Sequence, residues 1–198
     1  MARIAVVFGT TDGQTAKIAR HVVEVLRSEQ HLVELFDTRA PLPAEPLLGI
    51  DAVVIASSIR MGKFQRPLLA FVREHRDTLA KISTIFLAVS LSAARDSAPA
   101  RREVQKTIAR VVKETGFVPG RIQPVAGALV YSRYPFFTKL AIRFISKISG
   151  GDTDTSRDYE YTDWGALSEF VRSFAVRLRE ALASFPVRPD GWRAGSVL

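Results

Sequence analysis

The chain has 198 residues, of which 47% are hydrophobic and 24% are charged, so it is long and apolar enough for one domain with a substantial core. This composition excludes wholesale disorder, a collagen helix and a coiled coil. The absence of cysteine excludes disulfides, thiol nucleophiles, cysteine-held zinc and cysteine-ligated iron–sulfur clusters. The 28 Lys and Arg outnumber the 20 Asp and Glu, and a net charge of +8 suggests an anionic partner: nucleic acid, an acidic membrane face or an acidic substrate.

No stretch of the sequence has the features of a targeting or membrane-spanning segment. The apolar run that follows Met1 ends at Phe8 and is too short for the core of a signal peptide. A run of about 18 apolar residues, the length that crosses a bilayer, does not occur in the sequence. We therefore expect a cytoplasmic protein, with contact to the inner face of a membrane left open.

Short apolar runs alternate with longer segments of helical period. The pattern predicts five strands, at 4–8, 31–36, 52–56, 84–89 and 122–131. It predicts helices at 15–29, from Pro67 onward, at 99–115 and at 163–183. This alternation predicts an α/β fold, a doubly wound five-stranded parallel sheet with helices on both faces. We expect a single domain over residues 1–185 and a flexible C-terminal tail over 186–198.

One connection is far longer than the fold requires. About thirty residues, 132–162, separate the fifth predicted strand from the last helix, whereas such connections usually take about two to six. The segment contains Phe136, Phe137, Phe144 and other large apolar residues, which argues against disorder. Long ordered insertions are usually functional, so this one is the first place to look for function.

The turn after the first predicted strand is rich in hydroxyl groups and opens the first helix; it consists of Thr10, Thr11, Asp12, Gly13, Gln14 and Thr15. A helix N-terminus at the carboxyl edge of a parallel sheet presents unpaired N–H groups and a partial positive charge, which suit a phosphate. The glycine lets the backbone approach the ligand closely. The motifs G-x-x-x-x-G-K-[ST] and G-x-G-x-x-G do not occur here, which disfavours a P-loop NTPase and a dinucleotide-binding Rossmann domain. We therefore predict that this turn binds a phosphate. The alternative is an ordinary strand-to-helix turn capped by Asp or Thr. If a phosphate binds, the Asp12 carboxylate should point away from it and could cap the helix.

This turn resembles the pattern [ST]-x-x-G-x-T with which flavodoxins hold the phosphate of FMN, with Thr10, Gly13 and Thr15 at the matching positions. The resemblance implies two further flavin-contacting loops, after the third and fourth strands. In this chain they are Ser58, Ile59, Arg60, Met61 and Gly62, and Ser90, Leu91, Ser92 and Ala93. Flavodoxins that carry electrons are typically acidic, so the charge of +8 argues for a different partner.

The insertion contains a basic amphipathic pattern. Lys139, Arg143 and Lys147 recur every four residues, and apolar residues that include Phe137 and Phe144 lie on the other side of the same predicted helix. The pattern is typical of a helix that lies in the plane of an anionic membrane surface. The predicted membrane contacts are Phe136, Phe137, Lys139, Arg143, Phe144 and Lys147. A helix packed on the sheet with a solvated basic stripe is the alternative.

The insertion closes with Ser149-Gly150-Gly151-Asp152-Thr153-Asp154-Thr155, and Tyr161-Thr162-Asp163-Trp164 follows. Together with Asp12-Gly13-Gln14-Thr15, Ser58-Ile59-Arg60 and Ala126-Gly127-Ala128-Leu129, these motifs resemble the menaquinone-dependent protoporphyrinogen IX dehydrogenase family over roughly residues 3–180. The resemblance implies a flavodoxin-like fold, FMN as cofactor with further contacts from Asp152, Thr153 and Asp154, and attachment to the inner face of the cell membrane. It also implies removal of six electrons from protoporphyrinogen IX in heme biosynthesis, with a membrane quinone such as menaquinone as acceptor.

Some residues depart from the family pattern or have no role in it. Met61 stands where the family often has Tyr, so ring stacking there falls to Phe64 or to the Met61 thioether. The two propionates of protoporphyrinogen require cations, and the candidates are Arg60, Arg133 and Lys139. We expect the flavin to carry the chemistry, with no metal and no protein acid or base. His21, His31 and His75 are interpreted as surface or packing residues.

Three other functions remain open at this stage. One is an NAD(P)H:quinone oxidoreductase of flavodoxin type, and another is an electron carrier, which the charge and the insertion do not favour. The third is nucleic-acid binding, for which no recognised motif occurs, so we expect no nucleic-acid partner. The sequence leaves the oligomeric state and the type of quinone undetermined.

Overall fold

The computed structural model describes residues 1–60, 62–94, 98–129 and 158–184. Its strands are β1 (Arg3–Gly9), β2 (Leu32–Asp37), β3 (Ala52–Ser58), β4 (Ser83–Ser90), β5 (Arg121–Ala126), β6 (Ala128–Leu129) and β7 (Tyr159–Glu160). Its helices are α1 (Gln14–Ser28), α2 (Arg66–Glu74), α3 (Arg76–Leu79), α4 (Ala98–Thr115) and α5 (Trp164–Ser184), and a 3₁₀ turn covers Ser92–Ala94. The strands β1–β5 and the helices α1, α2, α4 and α5 follow one another in the order that the alternating pattern predicts.

Five strands form one parallel sheet in the order β2-β1-β3-β4-β5. Each of the four neighbouring pairs is parallel, and the register places Gly9 beside Ser57 and Ser58 beside Val89. This is the flavodoxin-type order, in which the winding direction reverses between β1 and β3. The predicted α/β class and five-stranded sheet are confirmed.

Both faces of the sheet are buried, as the apolar strands predict. Along β1, Ile4, Val6 and Phe8 enter one core cluster, with apolar residues of α1 and α5. Ala5 and Val7 point to the other face, into a cluster that contains apolar residues of α2. Because successive side chains of a strand point to opposite faces, a strand covered on both sides must be apolar throughout. Polar chemistry is therefore left to the edges of the sheet.

The fifth strand is shorter than predicted. We expected it to run over 122–131, but β5 ends at Ala126, and Ala128 and Leu129 pair antiparallel with Glu160 and Tyr159. Gly127 lies between the two ladders: its N–H donates to the Ser90 carbonyl at 3.1 Å, and its carbonyl accepts from Tyr161 N–H at 3.0 Å. The apolar residues on both sides of Gly127 concealed this change of partner, and the return strand β7 was not predicted.

His31 is a buried histidine at the opposite edge of the sheet from the first loop. It is 5% exposed, and its Nδ1 accepts a hydrogen bond from the Ala2 N–H at 3.3 Å, while its buried Nε2 has no partner. Burial, and next the charge of Arg179, hold the pKa of His31 below its ordinary value. The interpretation of His31 as a packing residue agrees with these contacts.

The depressed pKa of His31 makes stability depend on pH. The unfolded chain binds the proton near pH 6.5 and the folded chain only at lower pH, so the contribution of neutral His31 is complete above 6.5 and is lost as pH falls below it. We expect His31→Gln, which keeps an acceptor but does not titrate, to lose less unfolding free energy than the wild type between about pH 7.5 and about pH 5.5. Urea unfolding at both pH values measures this, with His75→Gln as the matched control. An equal loss in wild type and His31→Gln would contradict the assignment.

Candidate functional site

The carboxyl ends of β1, β3 and β4 bring together the three loops that the sequence singles out. The register sets the ends of these strands level, since Gly9 pairs with Ser57 and Ser58 pairs with Val89. The winding reverses between β1 and β3, and ligands of open α/β sheets bind in the crevice outside the strand ends at such a point. The fold therefore places the predicted loops where a ligand site is expected.

The first loop leaves the N-terminus of α1 without a side-chain cap. Gly13 occupies the N-cap position with φ of 95°, a left-handed conformation that glycine adopts at no steric cost. Its N–H donates to Thr10 Oγ1 at 3.0 Å, and Thr10 is only 4% exposed. No acidic residue lies in the first helical turn. The partial positive charge at this helix end is thus left for a ligand.

Asp12 points away from the helix N-terminus, as expected from the sequence. Its Oδ1 lies 3.3 Å from Arg60 Nη1, so the carboxylate is directed to the second loop. The two side chains are 25% and 42% exposed, and an ion pair so exposed contributes about 0–1 kcal/mol. The contact matters because it turns the carboxylate away from the helix end and joins the first two loops.

Thr15 carries an unsatisfied buried hydroxyl. The residue is 1% exposed, and its Oγ1 has no hydrogen-bond partner. A buried polar group without a partner costs about 1–3 kcal/mol, which a protein tolerates where a ligand supplies the missing bond. Thr15 lies in the first turn of α1, so this oxygen is available to a group bound at the helix N-terminus.

The second loop leaves β3 as a tight hairpin. Ile59 N–H donates to the Val89 carbonyl at 2.7 Å, and Arg60 and Lys63 exchange two backbone hydrogen bonds, at 3.0 and 2.9 Å. The Arg110 guanidinium on α4 donates to the carbonyl of Gly62. The hairpin is therefore held at both its base and its tip, and Arg60 is presented toward the first loop.

Gln65, at the end of this loop, was not singled out from the sequence. Its Nε2 donates to Thr11 Oγ1 at 3.1 Å and to Ser58 Oγ at 2.5 Å, and its Oε1 accepts from Ser57 Oγ at 2.9 Å. The amide thus connects the ends of β1 and β3. No sequence signal could have revealed it, because a glutamine in a loop carries no motif of its own.

The third loop turns sharply after β4. Ser90 is 7% exposed, and its Oγ accepts from the Ala93 N–H at 3.2 Å, which closes the turn that contains Ser92. Leu91 is 43% exposed and presents an apolar side chain at this edge. The loop therefore offers a small polar turn with one exposed apolar residue.

The segment that follows the insertion is fastened to the first two turns of α1. Gln14 Nε2 donates to Thr162 Oγ1 at 2.8 Å, and that hydroxyl donates to the Ala126 carbonyl at 2.7 Å. Lys17 Nζ lies 2.6 Å from Glu160 Oε2, while Trp164 Nε1 donates to Glu160 Oε1 at 2.8 Å. The Lys17 hydrogen bond holds the pKa of Glu160 below its ordinary value. These contacts were not predicted; Gln14 was expected to contact the cofactor.

Several predicted residues lie outside the described parts of the chain. They are Met61 of the second loop; Asp152, Thr153 and Asp154; and the basic and aromatic residues of the insertion, Arg133, Phe136, Phe137, Lys139, Arg143, Phe144 and Lys147. The predicted amphipathic helix and the tail over 186–198 lie outside them as well. Their assigned roles stay predictions.

Comparisons with known proteins identify the family. Residues 5–156 match the family model described as a flavodoxin domain. The chain is 31% identical over 172 residues to protoporphyrinogen IX dehydrogenase [quinone] of Escherichia coli K12, which covers 86% of this chain and 93% of that protein. It is 30% identical over 174 residues to the protein of the same name from Leishmania major, which covers 85% of this chain and 73% of that protein. The chain belongs to the flavodoxin-like protoporphyrinogen IX dehydrogenase family.

A solved structure supports the same fold. Oxidised flavodoxin 1 from Bacillus cereus superposes with a TM-score of 0.52 at 13% identity and covers 91% of this chain and 99% of its own. The resemblance to the protoporphyrinogen IX dehydrogenase family is thus confirmed. Membership makes the protein a flavoprotein oxidoreductase with FMN as its cofactor, as the first loop predicted.

The residues of the first loop fit the phosphate of FMN. The uncapped helix end, the left-handed Gly13 and the unsatisfied Thr15 hydroxyl together form a site for an anion with several acceptor oxygens. Thr10 and Thr11 flank it, and Asp12 is drawn away by Arg60. In the described part of the chain, no group of three or more His, Asp or Glu could hold a metal ion.

Because the Thr15 hydroxyl has no partner, removing it should lower FMN affinity without lowering the stability of the apoprotein. We expect Thr15→Val, which has nearly the same shape, to weaken FMN binding by about tenfold, because one hydrogen bond to the phosphate is lost. The apoprotein should be at least as stable as the wild type, because a buried group without a partner is removed. Fluorescence titration with FMN and urea unfolding of the apoprotein measure the two effects.

Gly13→Val should have a larger effect than Thr15→Val, because a β-branched residue is strained at a φ of 95°. It should lose both FMN affinity and stability. Normal FMN affinity in both variants would refute the assignment of the first loop.

Proposed function

We propose that this protein oxidises protoporphyrinogen IX to protoporphyrin IX in heme biosynthesis and passes the electrons to a membrane quinone such as menaquinone. The observation that carries the proposal is the 31% identity to the curated Escherichia coli enzyme over 93% of that enzyme's length. The reaction removes six electrons and six protons from the macrocycle in three two-electron steps. Three quinones take them up and become three quinols, so atoms and electrons balance.

In this proposal the protein's side chains bind and orient the cofactor and the substrate, while the cofactor carries out the redox chemistry. Bound FMN supplies a group that takes two electrons from an organic donor and returns them to an acceptor. The helix N-terminus with Gly13 and Thr15 would hold the phosphate. The loops after β3 and β4, which include Ser58 and Ser90, would then flank the rest of the cofactor at the same edge.

No histidine is available as a general acid or base at this edge. His31 is buried at the other end of the sheet. His21 shares a hydrogen bond of 2.8 Å with Ser168 and contacts the Trp164 ring edge-on, and His75 packs on Phe71. All three histidines of the chain thus have packing contacts, and the proposal assigns none of them a role as an acid or base.

Substrate recognition requires cations near the loops, because protoporphyrinogen IX carries two propionates. Arg60 has the best supporting position: the hairpin holds its backbone, its side chain is 42% exposed, and it already contacts a carboxylate, that of Asp12. A propionate would bind the same guanidinium beside that carboxylate, because five N–H donors can serve two carboxylates. Arg133 and Lys139 in the insertion remain the other candidates.

The proposed site of action is the inner face of the cell membrane, where the quinone is dissolved. In the described residues no helix is long and apolar enough to cross a bilayer. The predicted basic helix, with Lys139, Arg143 and Lys147, would lie on anionic lipid while the flavin site stays in the aqueous phase. The insertion leaves the sheet after β6 and returns at β7, so its two ends are paired beside the flavin loops.

Flavin absorbance under anaerobic conditions tests the proposed reaction. We expect protoporphyrinogen IX alone to bleach the flavin band of the purified protein, and a quinone added afterwards to restore it. Porphyrin fluorescence should rise in proportion to the quinone consumed. Bleaching by NADPH alone, with none by protoporphyrinogen IX, would overturn the proposal in favour of an NAD(P)H:quinone oxidoreductase.

Vesicle pelleting tests the proposed membrane surface. We expect the triple variant Lys139→Glu, Arg143→Glu and Lys147→Glu to lose most of its binding to anionic vesicles, since each basic residue near the surface contributes about 1 kcal/mol. The control reverses the exposed Lys81, Lys106 and Lys113, which lowers the formal net charge by the same amount, from +8 to +2. Equal pelleting of the two triple variants would mean that the insertion is not the membrane contact.

A further inference from the structure

The side chain of Gln65 does not cap the helix that begins after it. It is the N-cap residue of α2, yet its side chain makes no capping hydrogen bond. Ser, Thr, Asp and Asn are the residues that cap helices, because their short side chains reach the first N–H groups. The longer Gln65 amide reaches past the helix end to Thr11 and Ser58.

We propose that Gln65 is a positioning residue that fixes the Thr11 and Ser58 hydroxyls as hydrogen-bond donors to bound FMN. The proposal rests on the flavin site argued above and concerns the binding of the cofactor, not the oxidation of the substrate. It adds a residue that no motif identifies. The following observations support it.

A buried serine contacts the oxygen of the Gln65 amide. Ser57 is 0% exposed, and its hydroxyl donates to Gln65 Oε1 at 2.9 Å. The amide nitrogen lies on the other side, where it donates to two hydroxyl oxygens. Both N–H groups of Gln65 are therefore directed to the loops, one to Thr11 and one to Ser58.

A hydroxyl group that accepts such a bond still has its own proton to donate. Thr11 accepts at 3.1 Å and Ser58 at 2.5 Å, so the protons of both hydroxyls are directed away from Gln65. The phosphate oxygens, ribityl oxygens and ring carbonyls of FMN are acceptors. The amide thus leaves the Thr11 and Ser58 hydroxyls, at the ends of β1 and β3, as donors to a ligand that accepts hydrogen bonds.

The Gln65 side chain packs closely against Gly9 at the end of β1. A Cβ atom at Gly9 would lie 3.2 Å from both the Cβ and the Oε1 of Gln65, and 3.1 Å from the Cβ of the buried Leu68. Glycine at the end of β1 therefore lets the Gln65 side chain pass beside the strand. The Gln65 side chain can therefore connect the first loop to the second.

Gln65→Glu tests the polarity, because it keeps the shape and replaces two donors by an acceptor. Thr11 and Ser58 would then donate to the new carboxylate and could no longer donate to the ligand. We expect FMN affinity to fall by about 100-fold, about tenfold for each lost donor, with apoprotein unfolding close to that of the wild type. Gln105→Glu, which makes the same change at an exposed position of α4, should bind FMN as the wild type does.

A double-mutant cycle separates lost donation from simple repulsion between the new carboxylate and the phosphate. Thr11→Val should cost about tenfold in FMN affinity in the wild type and nothing further in Gln65→Glu. An undiminished cost in both backgrounds would overturn the proposal, as would FMN affinity in Gln65→Glu equal to that of the wild type. If Gln65→Glu does not fold, the uncharged Gln65→Met should still bind FMN more weakly than the wild type, and unchanged affinity there would also overturn it.

These measurements use FMN titration and unfolding of the apoprotein, so they do not depend on the substrate. A wild-type protein that binds FMN but does not oxidise protoporphyrinogen IX would overturn the proposed function and leave the role of Gln65 standing. A wild-type protein that binds no FMN would remove the flavin site itself, and with it both proposals.

Discussion

The uncapped N-terminus of α1 is the feature on which the arrangement of the site depends. Both faces of the sheet are sealed by apolar cores, so ligand chemistry is confined to the carboxyl edge, where β1 leads into this helix. Gly13 offers no capping side chain, and Asp12, which could have capped, is held by Arg60. The helix end therefore keeps its donors and its partial charge for an anion. The unsatisfied hydroxyl of Thr15 shows that the apoprotein gives up some stability for this arrangement.

The elements around this helix end are joined by side chains as well as by backbone pairing. Gln65 connects the ends of β1 and β3, and Gln14 with Thr162 connects α1 to the segment that returns from the insertion. That segment also contacts Lys17 through Glu160. The insertion is thus anchored to the helix that would hold the FMN phosphate. A surface that meets lipid through the insertion would stand in a defined place relative to the flavin.

The fold could be predicted from the sequence because the three central strands, β1, β3 and β4, are apolar and buried almost throughout, and segments of helical period alternate with them. The carboxyl-edge loops could be predicted for the same reason: once the strand order is known, their neighbourhood follows. The end of β5 could not, because the residues on either side of Gly127 are equally apolar and only the partner strand changes. Gln65 and the Lys17–Glu160 contact could not either, since they join residues far apart in the chain by side-chain reach alone.

The distribution of charge distinguishes the cofactor site from the rest of the surface. At the site, Arg60 is opposite Asp12 and Lys17 is opposite Glu160, so the cations there are largely compensated. Between Glu114 and Asp152 the sequence has no carboxylate, although it includes Lys139, Arg143 and Lys147. A phosphate at α1 would be held by hydroxyls and helix N–H groups at short range, where salt screens little. Lipid would be held by uncompensated cations at longer range, where salt screens strongly. The phosphate and the lipid surface would therefore be bound by different interactions, and a membrane surface would not compete with the cofactor for its site.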